Sequence, residues 1–431
     1  MEQGVVHATL DDWIAREAIP FSVDAPATLD AVVDTMIAAL GDAVELLGFG
    51  EALHGSEETL ILRNRLFERL VAAHGYSAIA IESSFPSAQI VNEYIAGRGP
   101  ASYDEVQDAG FAHGFGRLEA NRELVEWMRC YNADPSHPVK IRFYGFDMPG
   151  LAGGLASPRR VLEFALEYLS SIDSSSVQER RQRMTSLLGH DSPWENPAAL
   201  IDPAQAIGLS PDAAALRIET EDLITELRTR RPELVARSGQ ERYAEALHHA
   251  LAARQLLSYH AAVARPSSYA ELLGRRDLIM ADNLAYIVAR EHGRGKVLAF
   301  AHNAHLQRGK ANVRIGAEVP AWWVAGSHLN EMLGSRYAVI GSAVGVSEAN
   351  GIGPPEAGTL EARLTASPGA ARFIPTHRGE GLPGAEIAAL PTRSASTKNP
   401  TYVALTPQSV TDFDWLAVLN TTGYNRGGRP L

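Results

Sequence analysis

Seven short, mostly apolar runs limit what this chain can fold into: AVELLGFG (43–50), SAIAIES (77–83), VKIRFYGF (139–146), KVLAFAH (296–302), YAVIGSAVG (337–345), RFIP (372–375) and WLAVLN (415–420). They are apolar rather than cleanly alternating, the pattern of strands covered on both faces and hence of a parallel sheet. Helical patterns lie between many of them, notably at 56–73, 86–97 and 119–131. Strands alternating with helices predict an α/β fold. From about Arg159 to Arg290 the chain reads as helices without a convincing strand, as in LRIETEDLITELRTRRPEL and RYAEALHHALAARQLLSYHAAVA. The fold read from the sequence is α/β: a central, largely parallel sheet covered by helices, with a large all-helical region inserted in it or packed on it. Residues 1–155 would form the first part of the α/β core, 156–292 the helical region, a candidate substrate lid, and 293–431 the second part of the core.

The chain has 431 residues, 45% of them hydrophobic and 21% charged, enough to bury a sizeable core. A net charge of −12 with no basic run argues against nucleic acid or an anionic membrane as a partner. No stretch of about 18 apolar residues is present to cross a bilayer, and the first residues lack an apolar signal core, so a cytoplasmic location is expected. The one cysteine, Cys130, excludes an internal disulfide and a multi-cysteine metal site, and its place in a helical pattern suggests a core thiol. The oligomeric state is not legible.

Each of the four clearest strands ends in something ionisable. The first ends at Glu51 with His54 just beyond, the second at Glu82, the third at Asp147, and the fourth at His302 with His305 following in AFAHNAH. Ligands of open α/β sheets bind outside the carboxyl ends of the strands, so these residues are expected to converge on one cleft. His113, in the glycine-rich stretch GFAHGFGR, is a candidate substrate contact beside that cleft, as is Asp147.

Arg63 stands where the periodicity of its helix asks for an apolar residue, in a stripe with Leu60, Leu66, Phe67 and Leu70. A buried guanidinium calls for a carboxylate partner, and Glu51 or Glu82 could supply it. Such a pair could belong to a reaction centre or tie the helix to the sheet. The HxxH step of His302 and His305 suits a metal half-site, two core histidines or a catalytic pair, although no dedicated zinc motif is present. There is no GxSxG elbow and no Walker A motif, so hydrolysis would have to use an activated water.

The segment GFGEALHGSEETLILRNRLFERLVAAHGYSAIAIESSF resembles the N-terminal signature of the erythromycin esterase family. EWMRCYN, IRFYGFDM, RDLIMADN, AFAHNAHL and GSHLNEMLGSRYAVIG follow in the family's order, from about residue 45 to 345. This resemblance implies a hydrolase that opens ester or macrolactone bonds without a cofactor or required metal, as in macrolide inactivation and antibiotic resistance. It implies functional roles for Glu51, His54, Arg63, Glu82, His302 and His305. In that reading His54 is a general base on water, Glu51 or Glu82 orients it, and His305, His302 or Arg63 stabilises the oxyanion. A metal-dependent hydrolase, and a biosynthetic or binding protein for a lactone or ester, are the alternatives.

Overall fold

The computed structural model describes residues 8–150, 155–367 and 369–429. Its strands are β1 (Ile19–Phe21), β2 (Leu46–Glu51), β3 (Tyr76–Ser84), β4 (Arg142–Asp147), β5 (Lys296–His302), β6 (Ala311–Asn312), β7 (Ala321–Trp322), β8 (Tyr337–Val346), β9 (Ala371–Pro375) and β10 (Trp415–Thr421). Eight of them form one sheet in the order β1-β9-β10-β8-β2-β5-β3-β4, and β6 and β7 pair separately. From β10 to β4 every pairing is parallel. Only β9 runs against its neighbours, β10 and β1. All seven runs picked out in the sequence form strands; β1, three residues long, has too little pattern to be read.

Alternation along the strands sorts side chains to the two faces. Leu47, Phe49, Ile79, Ile81, Leu298 and Phe300 meet the helices Pro26–Leu40, Glu57–Ala73, Ala88–Ile95 and Glu119–Ala133. On the other face Ala78, Ala80, Ala299 and Ala301 present small side chains to Met280, Ala281, Leu284, Ile287 and Val288 of the helix Tyr269–Glu291. The helices Arg159–Ile172, Ser174–Leu188, Pro211–Thr229, Arg231–Ser238 and Gln240–Val263 close around a core of their own, with Trp194, Leu216, Leu223 and Leu257 inside. The helical stretch of the chain therefore has two loyalties. Its first five long helices make a separate cluster, whereas Tyr269–Glu291 is a covering helix of the sheet.

Cys130 is exposed, contrary to the core thiol read from the sequence. Its helix buries Leu124, Val125 and Met128, and Cys130 falls on the opposite side of the turn. His248 and His249 are inter-helix residues: His248 stacks on Tyr286 and His249 on Phe164.

Candidate active site

Because β2, β5, β3 and β4 are consecutive and parallel, their polar ends emerge side by side. Glu51 pairs in register with His302 across β2 and β5. Glu82 lies near the end of β3, and Asp147 closes β4. The tight turn after β5 explains the residues around it. Asn303 folds back over β2, its Oδ1 accepting from the Ser342 N–H at 3.0 Å and its Nδ2 donating to the Ser342 carbonyl at 2.8 Å. A Cβ on Gly50 would stand 2.3 Å from that amide oxygen, so only glycine fits there.

His54 Nδ1 lies 2.6 Å from Glu51 Oε1, and its Nε2 is 3.9 Å from Glu82 Oε1. Glu51 thus accepts a hydrogen bond from Nδ1–H and leaves Nε2 facing the centre of the cluster. The His54 backbone is clamped as well: its N–H donates to Thr401 Oγ1 at 3.0 Å, and its carbonyl accepts from Asn399 Nδ2 at 2.7 Å. Burial alone would lower the His54 pKa, but the negative charges of Glu51 and Glu82 outweigh it and raise the value above the ordinary 6.5.

The two histidines of AHNAH play different parts. His302 Nδ1 accepts from the Ala304 N–H at 3.0 Å, and its Nε2 lies 2.9 Å from the Thr401 carbonyl and 3.2 Å from that of Ala52. Both ring nitrogens are therefore committed to the backbone, and burial holds the ring neutral, with a pKa pushed down to about 3. His305 is the reverse. Its Nδ1 lies 2.8 Å from Asp277 Oδ1 and its Nε2 3.4 Å from Glu82 Oε1. Burial disfavours its charge, yet Asp277 and Glu82 more than offset that and push the pKa up to about 10. It is an imidazolium at neutral pH. His302 anchors the segment; His305 carries charge into the cleft.

Arg63 does not meet a carboxylate, contrary to the sequence reading. It is buried, its Nε and Nη2 donate to Asn64 Oδ1 at 3.1 and 2.7 Å, and its guanidinium lies 4.9 Å from the centre of the Phe300 ring. Glu51 is occupied by His54 and Glu82 by another arginine, which leaves Arg63 to a neutral partner and a ring face. Burial lowers its pKa to about 10, so it stays charged beside Glu51.

The arginine that binds Glu82 is Arg276. Its Nη2 lies 3.0 Å from Glu82 Oε1 and 2.6 Å from Asp147 Oδ2, and its Nε donates to Asp147 Oδ1 at 3.0 Å. Both carboxyls are buried, which would raise their pKa values, but the surrounding cations reverse this and hold them low: His305, His54 and Arg276 for Glu82, Arg276 and His113 for Asp147. His113 Nε2 stands 3.6 Å from Asp147 Oδ2. Asp277, next to Arg276, also accepts from Trp322 Nε1 at 2.6 Å and from the Ala325 N–H at 3.0 Å. RDLIMADN carries part of the family resemblance, yet the sequence assigns Arg276 and Asp277 no role. The signal was present: Asp277 shares the buried stripe of Met280, Ala281 and Leu284, the same anomaly that singled out Arg63.

The donor set does not suit a divalent cation. Among the described residues no three His, Cys, Asp or Glu side chains group as ligands. The ring nitrogens of His302 are both engaged by backbone, and Glu82 is already bound by Arg276.

The family model for erythromycin esterase matches residues 71–420, a stretch that holds Glu82, Arg276, Asp277, His302 and His305 and begins after His54. A curated relative, erythromycin esterase type II of Escherichia coli, is 24% identical over 305 residues, 69% of either chain. Among solved structures, a Bacillus cereus protein superposes with a TM-score of 0.76 at 18% identity, covering 97% of this chain and 98% of that one. A succinoglycan biosynthesis protein gives 0.73 at 20% identity, with 97% and 98% covered. A mutant of the erythromycin esterase EreC in its open conformation gives 0.68 at 18%, with 95% and 98% covered. The matched family model spans most of the sheet and the whole helical region, and this chain belongs to the erythromycin esterase family.

Proposed function

We propose that this protein is a carboxylic ester hydrolase that opens an ester or macrolactone bond with a water activated by His54, without a metal. The observation that carries the reading is the His54 ring itself, held at Nδ1 by Glu51 at 2.6 Å with Nε2 turned toward Glu82 and the charged His305. Glu51 orients the ring and stabilises its imidazolium. Nε2 takes a proton from water as the hydroxyl oxygen bonds to the ester carbonyl carbon. Negative charge develops on the carbonyl oxygen, and His305 Nε2–H is the donor suited to receive it, a contribution of about 3 kcal/mol for a well-placed group. The carbon–oxygen bond to the alcohol then breaks, and the His54 proton passes to the leaving oxygen. The products are an acid and an alcohol, or one hydroxy acid from a lactone. Asp277 keeps His305 protonated; His305, His54 and Arg276 keep Glu82 ionised, and Arg276 does the same for Asp147.

The direct test is a screen of macrolides and simple esters for a mass gain of one water, with His54→Ala as control. Finding no ester or lactone hydrolysed would end this reading. Exhaustive chelation is expected to leave turnover unchanged; a loss restored by zinc or manganese would point to a metal-assisted reaction instead.

The pH dependence has a defined sign. His54 works as a base only when neutral, and its pKa lies above the ordinary 6.5. The rate kcat/KM is therefore expected to rise with pH along a limb whose midpoint lies above that value. In Glu51→Gln one of the two raising charges is gone, so the midpoint should fall and the plateau should drop as well. A midpoint unmoved by that substitution would separate the limb from His54.

A further inference from the structure

On the far side of Glu82 from His54, the cluster opens into a cavity of about 220 Å³. Its polar edge is His113, Asp147 and Arg276, and its wall is Met148, Leu155, Leu200, Tyr259 and Leu273. Phe115 joins this cavity to the reaction centre, with its ring centre 5.4 Å from that of His54 and 5.3 Å from that of His113. His113 has a φ of 57°, in the left-handed region that costs a residue with a Cβ, and such strain persists where the surroundings enforce it. The loop therefore accepts a conformational cost to hold an imidazole at the lip of this cavity, beside Asp147 and Arg276.

We propose that this cavity is the subsite for one arm of the substrate, and that the arm is uncharged, apolar and compact: a short branched chain or a single ring. The proposal rests on the esterase reading and adds the class of group the enzyme accepts. Charge argues for an uncharged arm. Arg276, the cation at this edge, already binds both Glu82 and Asp147, so none of its charge is left for a substrate anion, while Asp147 would repel one. Size argues for a compact arm, because pockets that take whole drug-sized ligands run from about 300 to 1,000 Å³. Three wall residues, Leu200, Tyr259 and Leu273, come from the helical stretch between β4 and β5, so that stretch sets the arm's shape.

The test uses para-nitrophenyl esters of acetic, butyric, hexanoic and lauric acids, together with hexananilide as a slowly cleaved probe of binding. With the wild type, kcat/KM is expected to peak at butyryl or hexanoyl and to fall at lauroyl. Leu273→Trp fills the cavity and should lower the hexanoyl-to-acetyl ratio of kcat/KM by about tenfold or more. Leu200→Trp, at a position 39% exposed and so tolerant of change, should shift the ratio the same way. Calorimetry should show hexananilide binding weakened at least tenfold by Leu273→Trp. A flat ester series, or variants that leave both the ratio and the binding within twofold of wild type, would overturn the subsite. Binding that responds to Leu273→Trp while no ester is cleaved would retain the subsite and remove the esterase reading, so the two ideas can fail separately.

Discussion

His54→Ala is expected to lower kcat/KM for ester hydrolysis by about 10² to 10⁴, the range for a positioned general base, with little change in the thermal midpoint. The stability side follows from how His54 is held. Its contacts to Thr401 and Asn399 run through its own backbone N–H and carbonyl, so they survive removal of the ring. The ring itself is 26% exposed at the lip of the cleft. Losing it frees Glu51 to take up water or a proton rather than leaving it stranded. Circular dichroism and a melting curve establish the fold; progress curves on a hydrolysed ester give the rate. A folded variant that kept a third or more of wild-type turnover would remove His54 as the base.

Arg276→Met is expected to have the largest effect on stability, about 3 to 5 kcal/mol, because it leaves two buried carboxylates without their shared cation. The loss should depend on pH. In the wild type Glu82 and Asp147 titrate below their ordinary values of 4.5 and 3.8. Their contribution to stability is therefore present above those values and lost as pH falls through the depressed folded ones. Without the guanidinium Asp147 loses its main partner, and Glu82 retains only the two imidazoles. Their folded-state values rise, so the penalty is greatest at neutral pH and shrinks on acidification as the carboxyls become neutral. Urea unfolding at neutral pH and near pH 5 measures both parts. A loss under about 1 kcal/mol, or one unchanged by pH, would mean the network carries little of the fold.

The two outcomes separate chemistry from scaffolding within one cluster. His54 sits on a loop just past β2 and meets the cleft, whereas Arg276 reaches in from a helix that covers the opposite face of the sheet. Glu82 lies between them, and His305, His54 and Arg276 together hold its carboxyl ionised while buried.

Sequence by itself determined the sheet and the direction of its site. Apolar runs of strand length between helical patterns specify a covered parallel sheet, and in such a sheet the strand ends must face one edge. Glu51, Glu82, Asp147 and His302 were legible for that reason. Pairing was not. Arg63 and Asp277 both interrupt apolar stripes, and periodicity can report that a charge is buried without naming the group it meets; packing gave Asp277 to His305 and left Arg63 with Asn64 and Phe300. Nor could spacing tell His302, whose nitrogens are used by backbone, from His305, which Asp277 holds charged. Apart from the Ala304 N–H, the deciding partners are remote in sequence: Thr401 on a C-terminal segment and Asp277 on the covering helix. Only the folded arrangement of sheet, covering helix and late loop decides which of them arrive, because hydrogen bonds and burial act over a few ångströms of space regardless of separation in sequence.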